Sequence, residues 1–335
     1  MAQPFDIVIP LYRPRWNTQA VMEGLSQHYK PRAIHIVTPD SQVPRLKEQT
    51  PTWDTAALQI HPEDSFFKAT CGLTKDEICA ELDMGESLYT PGWFYQQLLK
   101  LGAPEGIPDL SEWYVVWDSD LLPVATWPLL RPTSDGVEHA FALLQHNQWG
   151  NPKIVSTWAD WIRSILGVEP LTDAEGTFIP HHMWFKQEHL ASFKHQLGRY
   201  FNSEDSWLLL MMRSANEFGT FSEYWAYVSW VAAKAPQDLA FYPYAEYGAT
   251  TERFFDDGTG LFSAALRQGL VPTTLADSPP YEAVADFIKG EYGADELPSS
   301  LSFESSPRHL KKNAANMHIE ESRSRWNPRM ASTSG

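Results

Sequence analysis

Two aspartates one residue apart, Asp118 and Asp120, end an apolar run in the stretch SEWYVVWDSDLLPV (residues 111–124). Carboxylates at this spacing on a bending backbone can both reach one hard cation, directly or through water. Mg²⁺ or Mn²⁺ held in this way normally completes its shell with phosphate oxygens. An acidic turn is the other reading of the same pair. A D-x-D pair is common by chance, so its weight depends on where the fold puts it.

Other residues have side chains suited to the same chemistry. Gln96, Gln97 and Lys100 lie in one helical segment, where Gln96 and Lys100 share a face at i, i+4. A lysine there offers a cation to a phosphate in an otherwise anionic protein, or simply belongs to a solvated face. His181 and His182 are adjacent, and neighbours on a strand point to opposite faces, so at most one enters a given site directly; His181 is the preferred one. His146 lies in the polar stretch Gln145–Trp149, and Trp184 follows the histidine pair. Glu223 falls off the apolar stripe of Phe221, Tyr224, Trp225 and Val228. There it is placed to take a proton from a hydroxyl acceptor, unless it is an acidic residue favouring a first helical turn.

The elements that must position these groups follow from the pattern. Phe5–Ile9 and Ala33–Val37 are short β-branched runs separated by helix-like spacing over Thr18–Tyr29, which predicts a strand, helix, strand unit with a right-handed crossover and a parallel sheet. Trp113–Trp117 reads as a further strand buried on both faces, preceded by a helix over 92–101. In such an open α/β sheet, ligands bind beyond the carboxyl ends of the strands, which is where Asp118 and Asp120 fall. Strands are expected at 140–144, 177–179 and 240–242. Helices are expected around Trp158–Leu166, Ser206–Asn216 and Phe221–Ala233, and a loop at Gly258–Gly260. The expected organisation is one domain over 1–298, with a nucleotide-binding half to about 125 and an acceptor-side half after it. A largely flexible tail over 299–335 follows, with a short helix near Leu310–Ala315.

Composition narrows the partners. The 335 residues are 43% hydrophobic, enough for a substantial core, and 26 basic against 42 acidic residues leave a net charge of -16. That balance argues against nucleic acid or an anionic membrane as the partner. Two cysteines, Cys71 and Cys79, provide no disulfide framework or zinc spacing. No run approaches the length of a membrane span, and the N-terminus lacks a signal-peptide pattern, so the expected location is the cytoplasm. The 14 tryptophans, several in polar contexts, suit sugar faces as well as a core.

Taken together, the GWFYQQLLKL helix, the strand-terminal DSD, the HHM segment and the SEYWAY helix resemble, in this order, a group of GT-A-type nucleotide-diphospho-sugar transferases. The similarity runs over about Phe5–Tyr247. The resemblance implies a Rossmann-like GT-A fold, with a mostly parallel sheet, helices on both faces and a helical acceptor-side portion. It implies a metal-dependent glycosyltransferase of the hexosyltransferase type, using a UDP- or GDP-linked sugar donor and a glycan or other hydroxyl acceptor. Asp118 and Asp120 would then hold Mn²⁺ or Mg²⁺ on the diphosphate, with Asp120 also catalytic beside Glu223. Pro10, Tyr12, Arg13, Thr38, Gln97, Lys100 and Ser119 would contact the donor, and Asp64 is a further candidate for reading a base edge. His146, His181, His182, Trp184 and Tyr224 would face the sugar or acceptor. A carbohydrate-binding protein on a degenerate transferase fold is the alternative. A metal-dependent phosphohydrolase ranks below both, because it needs a denser cluster of Asp, His and Asn.

Overall fold

A computed structural model describes residues 4–83, 90–126, 129–132, 138–143, 145–146, 152–172, 176–177, 181–242, 253–254, 258–293 and 300–303. Its centre is a five-stranded sheet. The strands are β1 (Asp6–Pro10), β2 (Ala33–Thr38), β3 (Ala57–Pro62), β4 (Trp113–Trp117) and, after a short β5 (Leu121–Pro123) outside this sheet, β6 (His182–Lys186). The order is β3-β2-β1-β4-β6, parallel throughout except for β6, which runs antiparallel to β4. The chain is therefore α/β with a mostly parallel sheet, as the strand, helix, strand pattern predicts. Strand order reverses between β1 and β4, which opens a crevice at their carboxyl ends.

Strand alternation divides the apolar residues between two cores. Ile7, Ile9, Val115, Trp117 and Trp184 face the helices Thr18–Tyr29 and Tyr281–Tyr292. Val8, Tyr114, Val116, Met183 and Phe185 face the helices Pro91–Leu101, Gln187–Phe201, Trp207–Phe218 and Glu223–Lys234. Covered on both sides, β1 and β4 have no polar face, and this is why they read as unbroken apolar runs. Capping fixes where two of these helices begin. The Trp93 N–H donates to Thr90 Oγ1 ahead of Pro91, and the Trp225 N–H donates to Ser222 Oγ.

The amphipathic segment at Trp158–Leu166 is helical as expected. It starts as Pro152–Trp161, loosens into a π turn over Ile162–Leu166, and stops at Gly167, whose φ is +65°. Gly258–Gly260, expected as a loop, is instead the first turn of the helix Gly258–Arg267. Cys71 and Cys79 fall on two short helices, Lys68–Cys71 and Lys75–Glu81, and both are free thiols. The proposed helix at 310–315 lies outside the described residues. Among those residues, no helix is long and apolar enough to cross a membrane.

The end of the described chain differs from the expected tail. Ser300–Ser302 forms β7, antiparallel to β5, and Leu301 and Phe303 are fully buried. The helix Tyr281–Tyr292 packs so tightly on Thr18–Tyr29 that a Cβ on Gly24 would come within 2.8 Å of the Tyr281 ring. The Tyr281 N–H also donates to Glu23 Oε2 at 2.7 Å. Late residues thus complete the packing of the first half.

At the opposite end of the strands from the crevice, Asp6 ties three segments together. Its carboxylate accepts from Arg32 Nε at 2.9 Å and from the Ser111 N–H at 2.9 Å, and His35 Nε2 lies 3.4 Å away. Its own N–H donates to Ser111 Oγ at 2.8 Å. Burial works to raise this carboxyl, but the His35 and Arg32 partners outweigh it and hold it well below the usual carboxylate range. A depressed native pKa means the stabilisation is complete above the ordinary carboxylate range and fades as pH falls through the native value. Asp6→Ala is therefore expected to lower unfolding stability by about 2 kcal/mol at neutral pH. In urea melts repeated at decreasing pH below about 4, the gap between wild type and variant should narrow.

Candidate functional site

β4 ends at Trp117, and the chain then turns through Asp118-Ser-Asp120 before β5, with the Leu121 N–H donating to the Asp118 carbonyl at 3.0 Å. The acidic pair is thus a turn by its backbone, and its side chains stand at the carboxyl end of a central strand. The antiparallel pairing of β6 decides what lies opposite. His182 pairs with Trp117, and one step further the Asp118 N–H donates to the His181 carbonyl at 2.9 Å. His181 Nδ1 is thereby brought to 3.6 Å from Asp118 Oδ2. Asp118, Asp120 and His181 each offer one ligand atom, and these atoms lie within 4.8 Å of one another. Two carboxylate oxygens and an imidazole nitrogen are a mixed donor set able to hold a divalent cation.

Beneath this cluster lies a buried lysine. Lys100, on the last turn of Pro91–Leu101, places Nζ 2.8 Å from Asp118 Oδ1 and 2.9 Å from Glu223 Oε1. The same ammonium stands 4.4 Å from the centre of the Tyr224 ring, and Tyr224 Oη donates to Asp118 Oδ1 at 3.3 Å. Oδ1 is therefore occupied from below by two donors, while Oδ2 faces His181. Burial disfavours the lysine's charge, but Asp118 and Glu223 hold it protonated, well above the ordinary lysine value. Burial likewise opposes the charge on Asp118, but Lys100 and then His181 keep that carboxyl below its usual range. For Glu223 burial prevails, and its carboxyl is raised despite Lys100. The two carboxylates differ because Asp118 has His181 as a second partner, whereas Glu223 has Lys100 and feels the like charge of Asp118.

Asp120 has a cation of its own. Arg15 Nη1 lies 3.4 Å from Asp120 Oδ2 and donates to the Phe303 carbonyl at 2.6 Å. Two cations thus face three carboxylates, Asp118, Asp120 and Glu223.

Several expected site residues are placed elsewhere. Lys100 does not extend into solvent toward a phosphate; it is 4% exposed and saturated by carboxylates. Glu223 does not face an open acceptor side, because its helix is buried all round from Glu223 to Val231. Gln97 is buried, with Nε2 donating to the Trp93 carbonyl at 3.2 Å. Thr38 and Pro10 are buried at their strand ends. His182 is 1% exposed and stacked on Trp117, with ring centres 4.9 Å apart. Trp184 packs in the core against Phe5 and Trp113 and donates to the Leu129 carbonyl. The reason is strand parity: His182 and Trp184 share the face opposite Met183 and Phe185. His146 belongs to a two-residue strand paired with Gly176–Thr177, and its side chain lies outside the described residues.

Other expected residues lie at strand exits. Tyr12 projects from the exit of β1 with 60% of its surface exposed, beside Arg13, whose guanidinium carbon lies 5.1 Å from the ring centre. Ser119 and Asp64 are half-buried near strand exits. Arg15 was missed, as was His181 as a metal donor; both depend on long-range pairing that no local spacing reveals.

Removing Lys100 alone leaves two buried carboxylates without their counter-ion. Lys100→Met is expected to cost about 3–5 kcal/mol of stability, whereas Lys100→Met combined with Glu223→Gln should recover a large part of that loss. Chemical denaturation of the two single variants and the double variant checks this.

Similar solved structures include mouse xyloside xylosyltransferase 1 in its apo form, at 9% identity over 75% of this chain and 87% of that one, with a TM-score of 0.38. Another is the galactosyltransferase LgtC in complex with donor and acceptor sugar analogues, at 8% identity over 92% of this chain and 100% of that one, with a TM-score of 0.36. A third is the apo-form glycosyltransferase GlyE of Streptococcus pneumoniae, at 11% identity over 91% and 55% respectively, with a TM-score of 0.30. Likenesses this distant assign no role to any residue. A comparison with curated proteins finds no match. Residues 14–256 match the family of unknown function DUF6492, and the chain belongs to that family.

Proposed function

We propose that this protein is a metal-dependent glycosyltransferase that moves a sugar from a nucleoside-diphosphate donor to a hydroxyl acceptor. The observation that carries this reading is the cluster of Asp118, Asp120 and His181 at the carboxyl end of β4, in the crevice where the strand order reverses. Asp118 Oδ2, a carboxylate oxygen of Asp120 and His181 Nδ1 would hold Mn²⁺ or Mg²⁺. A cation there supplies positive charge to the diphosphate as the glycosidic bond breaks.

The remaining residues take roles that their surroundings support. Tyr12, exposed at the exit of β1, is a stacking surface for a planar base, and Arg13 beside it is a partner for ribose or phosphate. Lys100 and Tyr224 hold Asp118 from below, so that only Oδ2 is presented to the crevice. Glu223 serves the site by anchoring Lys100, since a carboxylate buried on that pair is poorly placed to reach an acceptor.

The tryptophan content does not favour a glycan-binding module over an enzyme. Nine of the eleven described tryptophans, Trp16, Trp53, Trp117, Trp158, Trp161, Trp184, Trp207, Trp225 and Trp230, are buried, so their number reflects the core. Titrating UDP and GDP with and without Mn²⁺ tests the proposal. Nucleotide binding should tighten in Mn²⁺, and Asp118→Asn or Asp120→Asn should weaken the Mn²⁺-dependent part by on the order of a hundredfold. Nucleotide affinity indifferent to Mn²⁺ in the wild type would rule the metal-dependent mechanism out.

A further inference from the structure

Asp120 sits in a clasp built from residues far apart in the chain. Arg15 lies just past β1, is 8% exposed, and lies against Asp120 Oδ2 at 3.4 Å while donating to the Phe303 carbonyl at 2.6 Å. Phe303 closes the loop from the other side, its N–H donating to the Asp120 carbonyl at 2.9 Å. The Phe303 ring stands edge-on to Trp16 with centres 5.5 Å apart, and β7, immediately before it, pairs with β5, immediately after Asp120. Asp120 is therefore tied to Phe303, the residue that follows β7, twice: directly through its backbone carbonyl, and through the Arg15 guanidinium at its carboxylate. This clasp reaches beyond residues 14–256, the part of the chain that the family match covers.

We infer that Arg15 is a positioning residue for the metal site: it fixes the Asp120 carboxylate through Phe303, so that the last strand and cation binding stabilise each other. The inference rests on the metal reading of Asp118, Asp120 and His181. Arg15 acts on Asp120 in two opposite ways. As a charge it repels a divalent cation, and as a clamp it removes the rotational freedom that the carboxylate would otherwise lose on binding. The clamp dominates here, because the guanidinium is itself held by a buried carbonyl and is pinned before any ion arrives. Coupling of this kind is reciprocal, so an ion that binds the clamped carboxylate also stabilises the clamp.

The test uses the full chain and Mn²⁺ alone, with binding read by electron paramagnetic resonance and folding followed by circular dichroism. Arg15→Met is expected to weaken Mn²⁺ binding by on the order of tenfold, and Arg15→Lys should restore most of it. Binding equal to or tighter than wild type in Arg15→Met means that only the charge mattered, and this overturns the inference while leaving the metal reading intact. A wild-type protein that binds no Mn²⁺ overturns the metal reading as well. A second measurement needs no variant: hydrogen exchange of the Phe303 amide in the wild type should slow when Mn²⁺ is added. Unchanged exchange in a protein that does bind Mn²⁺ counts against the coupling even if Arg15→Met fails to fold.

Discussion

The site is organised around one buried ammonium. Lys100 loses its hydration on folding and regains it as contacts to Asp118 and Glu223, at 2.8 and 2.9 Å. A charge in that position is tolerated only if both carboxylates hold still, and each of them belongs to a different element. Lys100 ends the Pro91–Leu101 helix, Asp118 ends β4, and Glu223 starts the Glu223–Lys234 helix. The requirement to satisfy one cation therefore fixes the relative placement of a strand and two helices. Tyr114, whose hydroxyl donates to the Lys100 carbonyl at 3.3 Å, adds a third tie from within β4 itself. The crevice is consequently shaped from below by the core, and its acidic floor is part of that packing.

The sheet supplies the complementary constraint. Parallel pairing of β1 and β4 places the Tyr12 loop and the Asp118–Asp120 turn side by side, while the antiparallel β6 delivers His181 to the same edge from the opposite direction. A one-residue slip of β6 would turn His182 toward Asp118 and send Trp184 into the wrong core. The two apolar cores fix that register, because Met183 and Phe185 belong to one and Trp184 to the other.

These relations explain what could be read from sequence and what could not. The β1, helix, β2 start and the strand Trp113–Trp117 were legible, because strands buried on both faces leave continuous apolar runs. The importance of Asp118 and Asp120 was legible from their position at a strand end. The surroundings of Lys100 and Glu223 were not. Each looks like a polar residue on an amphipathic helix, and only tertiary packing turns both inward to neutralise each other. The burial of His182 and Trp184 has a related origin: adjacency in sequence says that two faces are used without saying which face is the crevice. The strand Ser300–Ser302 was hidden in a polar stretch, and only its pairing with β5 makes it structure.

The clasp at Phe303 also has a consequence in time. Phe303 follows Asp118 by 185 residues. At roughly 5–20 residues per second of synthesis, about ten to forty seconds separate the appearance of the acidic turn from that of the strand that closes over it. The β1 and β2 unit is complete before that interval begins, whereas the Asp118–Asp120 turn emerges with its Phe303 partner still unmade. A nascent chain therefore carries the acidic pair through most of its production in an unfinished state, and the site matures only when the final strand docks.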